Sequence, residues 1–297
     1  MTEGVDQPAP VPPPEPPVAS ASPMDAVLKG FTRPVLRGLP TPLIARLLGF
    51  LCLLILFIVW FIVTRGAISE ERMIPSTILP SPAEVAGSVK SLFTERDLLQ
   101  SIIASLRRVL IGFSYAIAIG VPLGILSGAF PGFRAFFAPL ELFGRNIPVA
   151  ALIPLTLVWF GIDELQKEMF IFIASVPFVY YDAATAISSV PERYVETAAT
   201  LGAKPWQIIF KVLVPLALPD IYNSLRMLFG LAFGYIMLAE IINAEFGLGA
   251  LLIDSQKRAM HEHIYLILVI ITILAFSIDR LLAWFQRGFF PYREVPE

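Results

Sequence analysis

Charged residues cut the chain into long uncharged stretches. Between Arg46 and Arg65 lie 18 uncharged residues, LLGFLCLLILFIVWFIVT, and between Arg108 and Arg134 lie 25, VLIGFSYAIAIGVPLGILSGAFPGF. An α-helix rises about 1.5 Å per residue, so about 20 residues cross the hydrocarbon core of a bilayer, and both stretches predict membrane spans. Four more follow: about Phe133 to Gly161, about Lys167 to Ser188, about Asp220 to Asn243, and Ile264 to Phe285. The predicted fold class is all-α, a polytopic membrane protein with six transmembrane helices. Gly112, Gly120, Pro122 and Gly124 predict a bent second span closely packed on a neighbour, and Pro177 is expected to interrupt the fourth.

The connection from 66 to 100 carries Val85, Val89, Leu92, Leu98, Leu99, Ile102, Ile103 and Leu106 at roughly helical spacing, predicting one or two amphipathic helices that lead into span two. Residues 1–24 contain eight prolines and almost no large apolar side chain, which predicts a disordered tail and no secretory signal. Residues 25–46, with Lys29, Arg33, Arg37 and Arg46, predict a basic interfacial segment. The six-span transmembrane domain then covers 47–290, and 291–297 form a C-terminal tail. Six spans place both termini on one side. Assigning that side to the cytoplasm puts 11 of the 22 Lys+Arg inside and nine outside, a lean in the direction of the positive-inside rule.

Composition sharpens this picture. Charged residues make up 15% and hydrophobic residues 56%, against about 25% and 45–50% for soluble domains. A net charge of −2 offers no attractive field for nucleic acid. One cysteine, Cys52, rules out an intrachain disulfide and is expected to be a packed thiol. His261 and His263 bracket Glu262 at a spacing that shares no helix face, so no metal site is expected there.

The loop between spans four and five reads SSVPERYVETAATLGAKPWQIIFKVLVPLALPD. Ser189 and Glu192 have capping-box spacing, Gly202 suits a left-handed helix terminus, and Pro205 suits the opening of the next helix. These signals predict a short helix over about Val190 to Leu201, lying on the membrane. Val195, Ala198, Ala199 and Gly202 share a face of small residues that permits close approach by another protein. On physics alone, a plain surface helix joining two spans fits equally well.

Glu196-Thr197-Ala198, then Gly202, then Val212-Leu213-Val214-Pro215 resembles the loop motif of the inner-membrane permeases of binding-protein-dependent ATP-binding cassette importers. That motif runs Glu-Ala-Ala, three residues, Gly, nine residues, Ile-x-Leu-Pro. The likeness extends over about residues 75–290, through LPSPAEV, SLRRVLIGF, VPLGILSG, RNIPVAALIPLTLVWFGI and AEIINAEFGLGALL, and points to the nitrate, sulfonate, taurine and bicarbonate branch. It implies the type I importer permease fold, with the coupling loop at about 189–215 and its helix docking on the ATPase. It also implies a second permease subunit, taken as a homodimer, two cytoplasmic ATP-binding cassette subunits, and an external solute-binding protein or lipoprotein. ATP and Mg would lie on the ATPases and no cofactor on this chain, which lacks a G-x-x-x-x-G-K-[ST] loop. The location implied is a bacterial inner membrane.

Charges inside spans usually face a bundle interior or a hydrated path. Glu141 and Arg145 are four apart and suit an ion pair, near Asn146 and Pro148; they either neutralise each other or present Arg145 to a small anion. Arg226 and Glu240, fourteen apart on one face of span five, either pack the bundle or line the path, while Asp182 and Asp279 are expected near the cytoplasmic interface. The favoured function is a permease subunit of an ATP-driven importer for a small anion. The alternative is a stand-alone ion-coupled carrier or channel.

Overall fold

The computed structural model describes residues 41–66 and 72–291. The expected tail of residues 1–24, most of the basic interfacial segment and the last six residues lie outside the described residues. The described residues divide into two units, the first ending at Ile62 and the second beginning at Val63. Helix α1, Pro42–Val63, is apolar on every face beyond Arg46 and has neither an acidic first turn nor a basic last turn. Its 22 residues extend about 33 Å, enough to cross a bilayer. Cys52 is exposed on this helix, where the sequence predicts a packed thiol.

The second unit is built only of helices among the described residues: α2 Pro82–Gly87, α3 Val89–Glu95, α4 Leu98–Ala129, α5 Pro131–Asn146, α6 Leu152–Phe160, α7 Glu164–Ser188, α8 Glu192–Thr200, α9 Pro205–Ile208, α10 Val214–Asn243, α11 Leu248–Lys257 and α12 His261–Phe289. Five segments are long and apolar enough to cross alone, and the pair α5 with 149–160 counts as a sixth only as a broken span bent by 91°. Span three is thus not one straight helix. Pro148 lacks an amide donor and holds Ile147 extended (φ −67°, ψ 127°), which ends α5 there.

The expected interruption of the fourth span at Pro177 is absent, and α7 runs continuously from Glu164 to Ser188. α4 likewise runs through Pro122. A proline inside a packed span removes one donor, and neighbouring helices tolerate the freed carbonyl. Both helices begin earlier than uncharged-stretch counting allows, because charged residues that find partners inside the bundle do not end a span. The amphipathic connection forms α2 and α3, with Val85 and Leu92 buried.

The core lies where α4 and α7 pack side by side, with α10 across them. A methyl group at Gly120 would approach Val179 Cγ1 to 2.8 Å, and at Gly124 it would approach Ala183 Cβ and the Tyr180 carbonyl to 2.6 Å. The glycine face therefore lets the two backbones meet, as the sequence predicts for Gly112, Gly120 and Gly124. At the other end of α7, buried Ala183, Ala186 and Ile187 pack with Ile209, Leu213, Ala217 and Ile221.

Candidate functional site

The α7–α10 connection carries the sharpest sequence motif. α7 ends at Ser188, and Ser189 keeps near-helical backbone angles (φ −81°, ψ −9°) while its hydroxyl donates back to the Thr185 carbonyl at 2.8 Å. The capping box expected of Ser189 and Glu192 is therefore not formed, since a residue still within the preceding turn cannot cap the next helix. Extended Pro191 precedes α8 instead, without a side-chain cap. The other end follows expectation: Gly202 has φ +80°, its amide donates to the Ala199 carbonyl (2.9 Å), and the Ala203 amide donates to the Ala198 carbonyl (3.0 Å). Pro205 opens α9 after extended Lys204, whose amide donates to Gln207 Oε1 at 2.8 Å.

The small-residue face of α8 is split. Val195 packs partly against the Ile187–Leu213 cluster and Ala198 is half-buried, whereas Ala199 and Gly202 are exposed. Glu196 and Thr197 face outward; Thr197 Oγ1 donates to the Arg193 carbonyl (2.6 Å), and among the described residues no hydrogen bond or ion pair engages the Glu196 carboxylate. A five-residue π-helical turn, Ile209–Leu213, joins α9 to α10, and Pro215 follows near the start of α10. The loop helix thus joins α10 through a short helix and a π turn and offers a carboxylate with no partner among the described residues.

Within the spans, the Glu141–Arg145 pair forms on α5 at 3.2 Å. Arg145 also lies over the Tyr181 ring, 3.7 Å from its centroid, and its Nε is buried without a partner among the described residues. Asn146 Nδ2 donates to the Leu142 carbonyl at 2.6 Å, so it closes α5 and is exposed. Arg226 and Glu240 do not form a common lining. Arg226 grips Asp279 of α12 through Nε (2.5 Å) and Nη2 (2.8 Å), while Glu240 belongs to a separate buried group.

That second group centres on Arg108, and of its members only Glu240 is singled out by the sequence. Arg108 Nε and Nη2 donate to Glu164 at 2.7 and 2.6 Å, and Nη1 donates to Glu240 (2.8 Å) and to the Phe246 carbonyl (2.6 Å). Glu240 also accepts the Ser105 hydroxyl and the Gly249 amide (2.9 Å). One guanidinium thereby ties α4, α7 and α10 together with the turn into α11. Its partners stand 56 and 132 positions away, beyond any local spacing rule.

Residues 120–291 match the family described as "Binding-protein-dependent transport system inner membrane component". The chain is 34% identical over 255 residues to the probable ABC transporter permease protein of Brucella abortus (strain 2308), covering 84% of this chain and 98% of that protein. It is 29% identical over 245 residues to the taurine transport system permease protein TauC of Escherichia coli (strain K12), covering 81% and 87%. It is 31% identical over 274 residues to the bicarbonate transport system permease protein CmpB of Synechococcus elongatus, covering 86% and 91%. Among solved structures, an inward-facing conformation of the MetNI methionine ABC transporter overlays with a TM-score of 0.58 at 24% identity, over 64% of this chain and 95% of that one; this likeness speaks to the fold.

Proposed function

Since the chain belongs to the binding-protein-dependent transport system inner membrane components, we propose that α8 is its coupling helix, with Glu196, Thr197, Ala198, Gly202 and Pro215 forming the surface that meets a cytoplasmic ATPase. The chain is the permease subunit of an ATP-driven importer, and ATP hydrolysis lies on separate subunits. The observation that carries the coupling role is the loop itself. α8 is short, packs on the bundle through Val195, is turned sharply by Gly202, and presents Glu196 with no partner among the described residues.

The wider assembly follows as a proposal: two copies of this permease around a shared path, two ATPases binding ATP and Mg, and an external binding protein, with both termini cytoplasmic. TauC and CmpB, named for taurine and bicarbonate, support a small anion as cargo. Arg145 is the residue proposed to meet it. A guanidinium does not lose its proton, and the Nε left without a partner gives it spare donor capacity.

The test is reconstitution with the ATPases. Gly202→Leu must hold a β-carbon in the left-handed region, which costs about 1–2 kcal/mol and distorts the turn, and Glu196→Lys reverses the exposed charge. Both variants should insert and fold, yet lose ATPase binding or coupled transport. Normal assembly and transport by both would refute the coupling role.

A further inference from the structure

A row of aromatic rings joins the loop to the bent third span. Trp206, in α9, stacks on Phe210 (centroids 6.1 Å apart, 18° between planes) and meets Phe130 edge to face (5.9 Å, 67°). Phe130 is the single residue between α4 and α5, and it packs against the Ile187–Leu213 cluster. The rings continue along α5 through Phe133 (6.4 Å) and Phe137 (6.4 Å) to Tyr180 of α7 (5.9 Å).

α5 is a long helix that the core holds only lightly. None of its residues is buried, in contrast to α4 and α7, on which it packs. Its inward stripe, Phe137, Glu141, Gly144 and Arg145, rests on α7 at Tyr180, Pro177 and Tyr181. Beside the stripe a half-open groove of about 310 Å³, lined by Phe137, Gly144, Ile147 and Tyr180, leaves the helix room to shift. Its far end carries Glu141 and Arg145 and breaks by 91° into α6. Its near end is held at Phe130 and by Arg134 Nη1 donating to Ser188 Oγ (3.1 Å), immediately before the loop.

We propose that Trp206 and Phe130 are positioning residues forming a joint through which displacement of the loop swings α5, and with it Glu141 and Arg145. This rests on the coupling role of α8. Trp206 is 55% exposed on a four-residue helix, so it adds little to core burial, yet its ring contacts are with Phe130 and Phe210. A tryptophan serving only as an anchor at the membrane interface would need no contact with Phe130. A path of touching residues becomes a coupling path only when its members fail to add.

The experiment uses the full complex of permease, ATPases and binding protein in proteoliposomes, with substrate flux and ATP hydrolysis measured per assembled complex. Trp206→Ala and Phe130→Ala should each lower substrate moved per ATP hydrolysed by on the order of tenfold, the double variant should be no worse than either single, and Trp206→Phe should stay near the parent. Where Phe130→Ala does not assemble, Phe130→Leu keeps bulk on the cluster and takes its place. Additive losses, an equal fall of hydrolysis and flux in Trp206→Ala, or an uncoupled Trp206→Phe would each overturn the joint. Normal transport by Glu196→Lys and Gly202→Leu would defeat the coupling role of α8 itself, whereas normal transport by Trp206→Ala alone removes only the joint.

Discussion

Arg108→Met is the sharpest test of how the bundle is held. Its guanidinium is 3% exposed and Glu240 is fully buried, so the substitution strands a carboxylate that keeps only the Ser105 hydroxyl and the Gly249 amide. Removing one partner of a buried ion pair costs about 3–5 kcal/mol, because the other is left buried and uncompensated. The Glu164 half of the cluster adds less. That carboxylate is 44% exposed and screened by solvent, so its pairing is worth about 1 kcal/mol at most. Glu240→Gln alone keeps acceptors for Ser105 and Gly249 and leaves Arg108 held by Glu164, so its cost should be about 1–3 kcal/mol. Combining Glu240→Gln with Arg108→Met removes the stranded charge and should recover about 1–3 kcal/mol relative to simple addition of the two losses. Denaturant titration of the detergent-solubilised protein, followed by helical ellipticity, measures all three. Additive losses, or an Arg108→Met variant within about 1 kcal/mol of the parent, would refute the view that this pair clamps the helices.

Gly124→Leu should destabilise by at least about 3 kcal/mol, read in the same titration, because the new side chain meets the Tyr180 carbonyl and Ala183 at 2.6 Å, where α7 backbone cannot yield. Arg72 donates to both oxygens of Glu84, which also accepts the Ser81 amide, and these bonds hold the carboxyl down at about 2. A lowered carboxyl stabilises the fold above its unfolded value of about 4.5, and that contribution is lost as pH falls toward 2. With the side chain 40% exposed, the loss should be about 1 kcal/mol at most, visible as a drop in unfolding midpoint from pH 6 to pH 3 that Arg72→Met makes smaller. Arg145→Gln should lower anion flux in reconstituted complexes far more than assembly or basal ATP hydrolysis. Unchanged flux would leave Arg145 only its packing role against Glu141 and Tyr181.

Apolar runs revealed the spans because a bilayer demands length and lack of charge, both countable along a chain. Glycine spacing on α4 likewise revealed a contact face, since the helical repeat alone puts Gly112, Gly120 and Gly124 together. Charge pairing was legible only inside one helix. Glu141 and Arg145 were found at four residues, whereas Arg226 chose Asp279 and Glu240 chose Arg108 through packing that spacing does not encode. Capping signals show the same limit. Two stretches of this sequence have Ser-x-x-Glu spacing, and only Ser81 with Glu84 forms the box, since Ser81 is extended (φ −69°, ψ 155°) and Ser189 is the tail of a helix. Local chemistry offers a cap; the backbone path set by tertiary packing decides whether it is used.

The π turn at Ile209–Leu213 fixes the angular phase between the loop and the fifth span. In an α-helix, residues four apart drift about 40° around the axis, so three such steps would carry Ile221 about 120° from Ile209. Ile209, Leu213, Ala217 and Ile221 nonetheless all meet one cluster with α7. The wider i→i+5 turn underwinds the first step and cancels part of the drift, keeping a stripe of four-residue period in line. The same extra residue sets the azimuth of everything upstream. Without it, α9 would be rotated by about 100° about the α10 axis and the Trp206 ring would face away from Phe130. The loop is therefore geared to the bundle by one residue of phase, a constraint on insertion and deletion at 209–213 that no single side chain expresses.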